Sequence, residues 1–150
     1  MNKMKIYMDS CCFNRPFDDL TQSKIYEEAE AVKRVIELAK NGKITIISSQ
    51  FVKYEIESIR LQDKRNNVLS FFHCDVYYTL TEHIADLARH YQTFNLKTFD
   101  SLHLATAEIN EVDYLLSTDK DFIKFAERFS HKTKVINPCK FLEEEYNNAT

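Results

Sequence analysis

Hydrophobic residues along this chain occur in two alternating patterns. Short, mostly apolar runs of the kind that form buried strands occupy residues 4–8, 44–47, 75–78, 114–116 and 134–136. Between these runs, apolar residues recur every three or four positions, as one face of a helix requires. The second pattern predicts helices at residues 23–41, 51–59, 64–72, 81–91, 99–111, 118–129 and 138–146.

Polar residues and one glycine mark where these helices begin and end. Gly42, the only glycine in the chain, follows residues 23–41 and predicts the end of that helix. A serine or threonine before a helix can accept hydrogen bonds from its first free N–H groups. We therefore expect helix caps from Ser48 or Ser49, Thr81, Thr98 and Thr118.

The alternation of strands with helices predicts an α/β fold with a mainly parallel sheet. The length of 150 residues fits one domain, which we place at residues 1–150 with the last few residues frayed. With 44% hydrophobic residues, 11 Phe and 8 Tyr, the chain is not expected to be disordered. No apolar run approaches the roughly 20 residues that span a membrane, and no signal peptide is evident, so we expect a cytoplasmic protein.

The cysteines and the net charge give weak evidence about disulfides, metal sites and nucleic-acid binding. Cys11 and Cys12 are adjacent in a segment that we predict to be extended, so their side chains should point to opposite faces. This favours packing over a disulfide or a zinc site. The net charge of −3 offers no overall basic excess for holding nucleic acid, although a local basic rim is compatible with it.

Four acidic residues lie where predicted strands end or helices begin. Asp9 and Asp119 follow two strands, Asp100 begins a helix, and Glu55 lies in the second turn of another. Ligands of a parallel sheet bind beyond the carboxyl ends of its strands, so these acids could share one edge. Individually, Asp100 and Asp119 fit first-turn helix acids and Glu55 fits a solvated residue. Together they would repel one another, which favours a divalent-cation site for phosphodiester hydrolysis.

Four segments of the sequence match a known family in the same order. They are Y-M-D-S at residues 7–10, V-K-Y-E at 52–55, F-D-S-L-H-L-A-T-A at 99–107 and L-S-T-D-K-D-F at 116–122. Through these segments, which extend over most of its length, the chain resembles the PIN-domain family of metal-dependent nucleases. The resemblance implies a three-layer α/β/α fold, in which a sheet of about five parallel strands lies between helices.

The resemblance also implies a function and a set of site residues. The protein would be a Mg²⁺- or Mn²⁺-dependent ribonuclease that cleaves RNA by metal-activated water, and would act as a homodimeric toxin with a small antitoxin partner. Its catalytic and metal-binding acids would be Asp9, Glu55, Asp100 and Asp119, with Asp121 as the alternative to Asp119. Glu55 would bind the metal directly or through water and orient the nucleophile. Substrate contacts would come from Ser10, Arg15, Thr118 and Lys120.

Several assignments stay open at the level of sequence. Arg15 could hold a substrate phosphate or pair with Asp18 or Asp19, and Thr118 could be only a helix cap. His103 is interpreted as a packing residue rather than a metal ligand or base. A basic substrate rim would comprise Arg15, Lys53, Arg60, Lys64, Arg65, Lys97 and Lys120.

The toxin role stays open, because residues 11–19 differ from the small-residue stretch of typical toxins in this family.

Two other functions compete with the nuclease. A PIN-like fold could bind RNA or a protein without cutting. A phosphotransfer domain likewise places an aspartate after its first strand, but residue 11 is Cys11, so the D-x-D motif of that class is absent.

Overall fold

A computed structural model of the chain describes residues 3–129 and 132–147. The end of the chain, which we expect to be frayed, lies partly outside the described residues. The elements are β1 (Lys5–Met8), α1 (Ser10–Asn14), a 3-10 turn (Arg15–Phe17), α2 (Ser23–Lys40), β2 (Thr45–Ser49), α3 (Gln50–Glu57), α4 (Gln62–Phe71), β3 (Val76–Tyr78), α5 (Glu82–Gln92), α6 (Thr98–Ile109), β4 (Tyr114–Leu116), α7 (Lys120–Glu127), β5 (Lys134–Ile136) and α8 (Pro138–Lys140), which continues as a π-helix (Phe141–Tyr146).

The five strands form one sheet in the order β3-β2-β1-β4-β5, and every pairing between them is parallel. The chain moves outward from β1 in one direction to β2 and β3, and then returns to place β4 and β5 on the other side. Because crossovers between parallel strands are right-handed, this reversal places helices on both faces of the sheet. The prediction of a three-layer α/β/α fold with a parallel sheet of five strands is confirmed.

The central strand β1 lies at the middle of the core. Ile6, Tyr7 and Met8 are completely buried, as expected for a strand with helices on both faces. The helix α2 buries a stripe at helical spacing that includes Val32, Val35 and Ile36. Burial of this apolar surface, worth about 25 cal/mol per Å², fixes β1 and therefore the residue that follows it.

Two of the predicted helix signals are confirmed in detail. Gly42 has a φ of 74°, and its N–H donates to the carbonyl of Ala39 while the N–H of Lys43 donates to Leu38. This is the paired arrangement that ends many helices, and it requires a left-handed residue that glycine adopts without strain. The hydroxyl of Ser49 accepts from the N–H groups at the start of α3.

Three local predictions are wrong. Thr98 lies inside α6 rather than capping it, and the carboxylate of Asp119, not the hydroxyl of Thr118, caps α7. An aspartate accepts more strongly than a threonine, since its charge also complements the positive end of the helix. Cys11 and Cys12 lie in α1 instead of an extended segment, because the Asp9 carboxylate caps that helix by accepting from the N–H of Cys12.

The structure adds two simpler observations. None of the helices within residues 3–129 and 132–147 combines the length and apolar character needed to cross a membrane. The four cysteines are free thiols, and burial raises the pKa of Cys12 well above its ordinary value.

Candidate functional site

The site forms where the strand order reverses, between the carboxyl ends of β1 and β4. Met8 pairs with Leu116 across these strands, and the N–H of Asp9 donates to the carbonyl of Leu116 at 3.2 Å. Asp9 therefore lies beside the segment that carries Asp119 a few residues later. This crevice is where open parallel sheets bind their ligands.

Asp9 is the most buried of the four acids, with only 3% of its surface exposed. Its Oδ1 accepts from the N–H of Cys12 at 3.2 Å, which fixes the carboxylate at the start of α1. Burial raises the pKa of Asp9, while the hydroxyl of Ser117 and the charge of His103 act in the opposite direction. The negative charge of Glu55 raises the pKa further, so the fold holds this acid against its own desolvation cost.

Asp100 lies in the first turn of α6, where the negative charges of the other three acids act on its carboxylate. Burial is the largest cause that raises its pKa to about 6, and the charges of Asp9, Asp119 and Glu55 add to it, whereas His103 lowers it. The same negative charges act on the thiol of Cys11. Its pKa is raised by the charge of Asp9, by burial and by the charges of the other three acids. The four acids predicted from the sequence therefore form a loose cluster, in which their charges act on Asp100 and Cys11.

The cluster is close but not tightly convergent. In the described part of the chain, no three or more His, Cys, Asp or Glu side chains lie near enough together to hold a metal ion directly. Carboxylates that are not neutralised repel one another, which favours such a spacing. The donor atoms are all carboxylate oxygens, the kind that hard divalent cations prefer.

A buried chain of hydrogen bonds leads from the core to Glu55. His103 is 1% exposed, and its Nε2 lies 2.6 Å from Glu55 Oε1. Its Nδ1 lies 2.6 Å from the hydroxyl of Tyr7, which in turn lies 2.7 Å from the hydroxyl of Ser49. The hydroxyl of Ser10 also donates to Glu55 Oε1, at 3.1 Å. Among the described residues, both of these contacts of Glu55 use Oε1.

The burial and the hydrogen bonds of His103 agree with its interpretation as a packing residue, but that interpretation did not identify Glu55 as a partner. The position of His103 three residues after Asp100 places both on one side of α6, and that spacing was the available signal. Tyr7 gave no signal, because in the sequence it is only one residue of an apolar strand. The structure shows that both side chains connect the core to an acid of the site.

Asp119 and Asp121 differ in their surroundings. Asp119 Oδ1 accepts from the N–H groups of Asp121 and Phe122, at 2.9 and 3.3 Å, and its charge acts on Asp100. Asp121 is exposed on the first turn of α7. Both of these backbone contacts use Oδ1 of Asp119.

The predicted substrate residues lie in four different settings. Ser10 is buried and bonds to Glu55, while Thr118 is buried directly before Asp119. Arg15 forms ion pairs with Asp18 at 2.8 Å and with Glu28 at 2.9 Å. The pairing alternative for Arg15 is therefore present, with Asp18 rather than Asp19 as the partner near in sequence. Lys120 is exposed beside Lys24, whose pKa it lowers.

The structure also divides the predicted basic rim. Lys64 pairs with Asp18 at 2.7 Å, and Arg65 donates to the carbonyl of Ile59 at 2.8 Å. Lys53 and Arg60 are exposed, and Lys97 borders a cavity that also contains Asp100. Arg15, Lys64 and Arg65 of the rim therefore already contact protein groups, whereas Lys53, Arg60 and Lys97 are exposed.

Comparison with known proteins agrees with the resemblance found in the sequence. The family model of the PIN domain matches residues 6–128. Comparison with curated proteins gave no match.

Several solved structures share the fold. One is VapBC2 from Rickettsia felis bound to a DNA fragment from its promoter, with 16% identity and a TM-score of 0.58 over 89% of this chain and 98% of that chain. Another is Mycobacterium tuberculosis VapC20, a Sarcin-Ricin loop cleaving toxin, with 12% identity and a TM-score of 0.58 over 83% and 96%. A toxin–antitoxin complex from Klebsiella pneumoniae gives 18% identity and a TM-score of 0.52 over 89% and 97%. At these identities the likeness concerns the fold.

Proposed function

The chain belongs to the PIN-domain family, and from that premise we propose that it is a divalent-metal-dependent ribonuclease. The observation that carries the proposal is the cluster of Asp9, Glu55, Asp100 and Asp119 where β1 and β4 end. Mutual repulsion in this cluster contributes to the raised pKa of Asp100. A protein that holds several carboxylates in such a field gains from binding a cation.

The residues fit Mg²⁺ or Mn²⁺ by their chemistry. Asp9 and Asp100 are the proposed direct ligands, and Asp119 rather than Asp121 is the proposed fourth acid, because its charge acts on Asp100. Mg²⁺ typically keeps several waters and binds through one or two carboxylates, so acids that are close without converging still suit it. When bound, such a cation activates water and stabilises charge on the leaving oxygen.

Glu55 is proposed to orient the water that attacks the phosphodiester. His103 and Ser10 hold its Oε1 in place, at 2.6 and 3.1 Å. A carboxylate that is already held at one oxygen loses little freedom when its other oxygen accepts a hydrogen bond from water. The new bond would form between the water oxygen and phosphorus while the bond from phosphorus to the sugar oxygen breaks. The attacking water would lose a proton to solvent, and the departing sugar oxygen would take one from solvent.

We also propose a small antitoxin protein as partner and a homodimer as the assembly. Support for the partner comes from a structural neighbour, since the structure from Klebsiella pneumoniae is a toxin–antitoxin complex. The mass of the purified protein in solution tests the dimer. Growth arrest on expression, relieved by co-expression of a small protein encoded beside this gene, tests the toxin role.

The cleavage of end-labelled single-stranded RNA tests the enzyme directly. The wild type should give products with Mn²⁺ or Mg²⁺ and none with a chelator, whereas Asp9→Asn and Asp100→Asn should give none. Asp86→Asn is the matched control, since Asp86 is an exposed residue of α5. Equal products from all variants would reveal a contaminant. RNA binding without products in any metal would instead favour a module that binds without cutting.

A further inference from the structure

A cavity of about 370 Å³ lies directly beside the acidic cluster. Asp100, Asp119 and Asp121 line it together with residues of the α5–α6 connection and of α7. Its size falls within the roughly 300–1,000 Å³ that is typical of small-molecule sites. The nuclease proposal does not use the residues of the connection or the later turns of α7.

Three cations also border the cavity. Lys97 precedes α6, whereas Lys124 and Arg128 are four residues apart and therefore share one face of α7 and its end. Within residues 3–129 and 132–147, none of these three side chains forms an ion pair. By contrast, Arg15 and Lys64 elsewhere in the predicted rim are paired with acids.

An aromatic wall completes the cavity. Phe94 is 45% exposed, and its ring lies 4.8 Å from that of Phe129, which lies 4.6 Å from that of Phe125. The ring of His90 supports Phe94 from behind at 5.2 Å. Asn95, with a φ of 71°, turns the chain sharply after Phe94. An exposed ring held in place by its neighbours is a suitable platform for a flat ligand.

We infer that this cavity binds a nucleotide of single-stranded RNA next to the phosphodiester that is cut. The base stacks on Phe94, and the phosphate on the far side of that nucleotide contacts Lys124 and Arg128. The inference rests on the proposed function and adds to it a subsite, in which Phe94, Lys124 and Arg128 hold the nucleotide beside the cut. A base within a duplex is covered by its neighbours and cannot reach the ring.

The combination of groups favours a nucleotide over a peptide. An acidic peptide would match the cations but be repelled by the three aspartates, and a basic peptide would meet the opposite conflict. A nucleotide presents one phosphate to the lysine and arginine side chains and its base to the ring. Its next phosphate would meet the acid cluster with the proposed divalent metal ion. Its charges and its flat face therefore match the groups that line the cavity.

Binding to a fluorescein-labelled single-stranded RNA decamer, measured by anisotropy in chelator, tests the inference without cleavage. Lys124→Ala/Arg128→Ala should weaken binding about tenfold and reduce the salt dependence of log K by about 0.7 for each phosphate that the protein no longer neutralises. Phe94→Leu, which keeps an apolar side chain, should weaken binding roughly fivefold or more with an unchanged salt dependence. Phe94→Tyr retains the ring and should bind as the wild type does.

A matched control removes two charges from the other edge of the sheet. Lys40 and Lys43 lie at the end of α2, before β2 begins. Lys40→Ala/Lys43→Ala therefore changes the net charge by the same amount, but at a place far from the cavity. If this control weakens RNA binding as much as Lys124→Ala/Arg128→Ala does, a general field rather than the cavity binds RNA. That result would overturn the inference, as would a Phe94→Leu variant that binds at full affinity.

The outcomes also separate the inference from the nuclease proposal. Wild-type protein that cleaves RNA while all cavity variants bind normally removes the cavity inference alone. Protein that binds through the cavity but never cleaves removes the nuclease proposal alone. Wild-type protein that neither binds nor cleaves single-stranded RNA removes both.

Discussion

The hydrogen-bond chain behind Glu55 gives a sharp prediction about a single oxygen atom. Tyr7→Phe removes a completely buried hydroxyl that contacts the hydroxyl of Ser49 at 2.7 Å and Nδ1 of His103 at 2.6 Å. The ring itself stays, so no large cavity forms. Each hydrogen bond removed contributes about 1 kcal/mol net, and a buried partner left unsatisfied costs about 1–3 kcal/mol. We expect the free energy of unfolding to fall by about 2–3 kcal/mol.

Urea unfolding followed by circular dichroism measures this loss. With a slope of about 1–3 kcal/mol per molar urea for small proteins, the midpoint should fall by roughly 1 M or more at an unchanged slope. Tyr26→Phe is the control, because Tyr26 is 51% exposed on α2 and removal of its hydroxyl should cost less than about 0.5 kcal/mol. A loss for Tyr7→Phe as small as for this control would refute the chain as a stabilising network.

A double-mutant cycle tests whether the chain reaches the site. Tyr7→Phe and Glu55→Gln remove groups that do not touch but both contact His103. Residues in one hydrogen-bond network couple by about 0.5–3 kcal/mol. If the losses in the free energy of unfolding of the two single variants simply add in the double variant, Tyr7 and Glu55 contact His103 independently of each other.

Three further predictions concern the helix end at Gly42, the fourth acid and the titration of Asp100. Gly42→Ala should lower the free energy of unfolding by about 1–2 kcal/mol in urea unfolding, because an L-residue at a φ of 74° is strained; a neutral change would contradict the described helix end. Asp119→Asn should keep the cap of α7 and unfold like the wild type while it weakens Mn²⁺ binding in calorimetry, whereas Asp121→Asn should change neither; the reverse pattern would exchange the two assignments. Because the pKa of Asp100 rises from 3.8 unfolded to about 6 folded, the folded state binds its proton more tightly, and this contribution to stability is lost as pH rises through that window. Without metal, Asp100→Asn should therefore become more stable relative to the wild type between about pH 4 and about pH 7 in urea unfolding, and a pH-independent difference would contradict the raised pKa.

The sequence was sufficient for the fold because the signals that define it are local. The five apolar runs and the helical periodicity correspond to the strands and most helices of the structure, with differences of a few residues at their ends. The gathering of the four acids was also predictable. It follows from parallel topology, which brings the ends of strands and the starts of helices to one edge.

The contacts of the site were not predictable, because they join residues distant in the chain. His103 and Glu55 are separated by 48 positions, and Asn137 reaches Glu28 across 109. Arg15 finds a buried acid in α2 that no spacing rule identifies. The wrong cap at Thr118 has a different cause, since two residues that can cap a helix are adjacent here and the sequence does not show which of them directly precedes α7.

The most direct test of the central claim is the binding of Mn²⁺ to the four acids as one site. Ligand that binds only the folded state stabilises it by about 2.7 kcal/mol at a hundredfold excess over Kd. We expect Mn²⁺ to raise the free energy of unfolding of the wild type and of Asp86→Asn, but not that of Asp9→Asn or Asp100→Asn. Stabilisation that is equal in all four proteins, or absent from the wild type, would contradict a divalent-cation site at the carboxyl edge of this sheet.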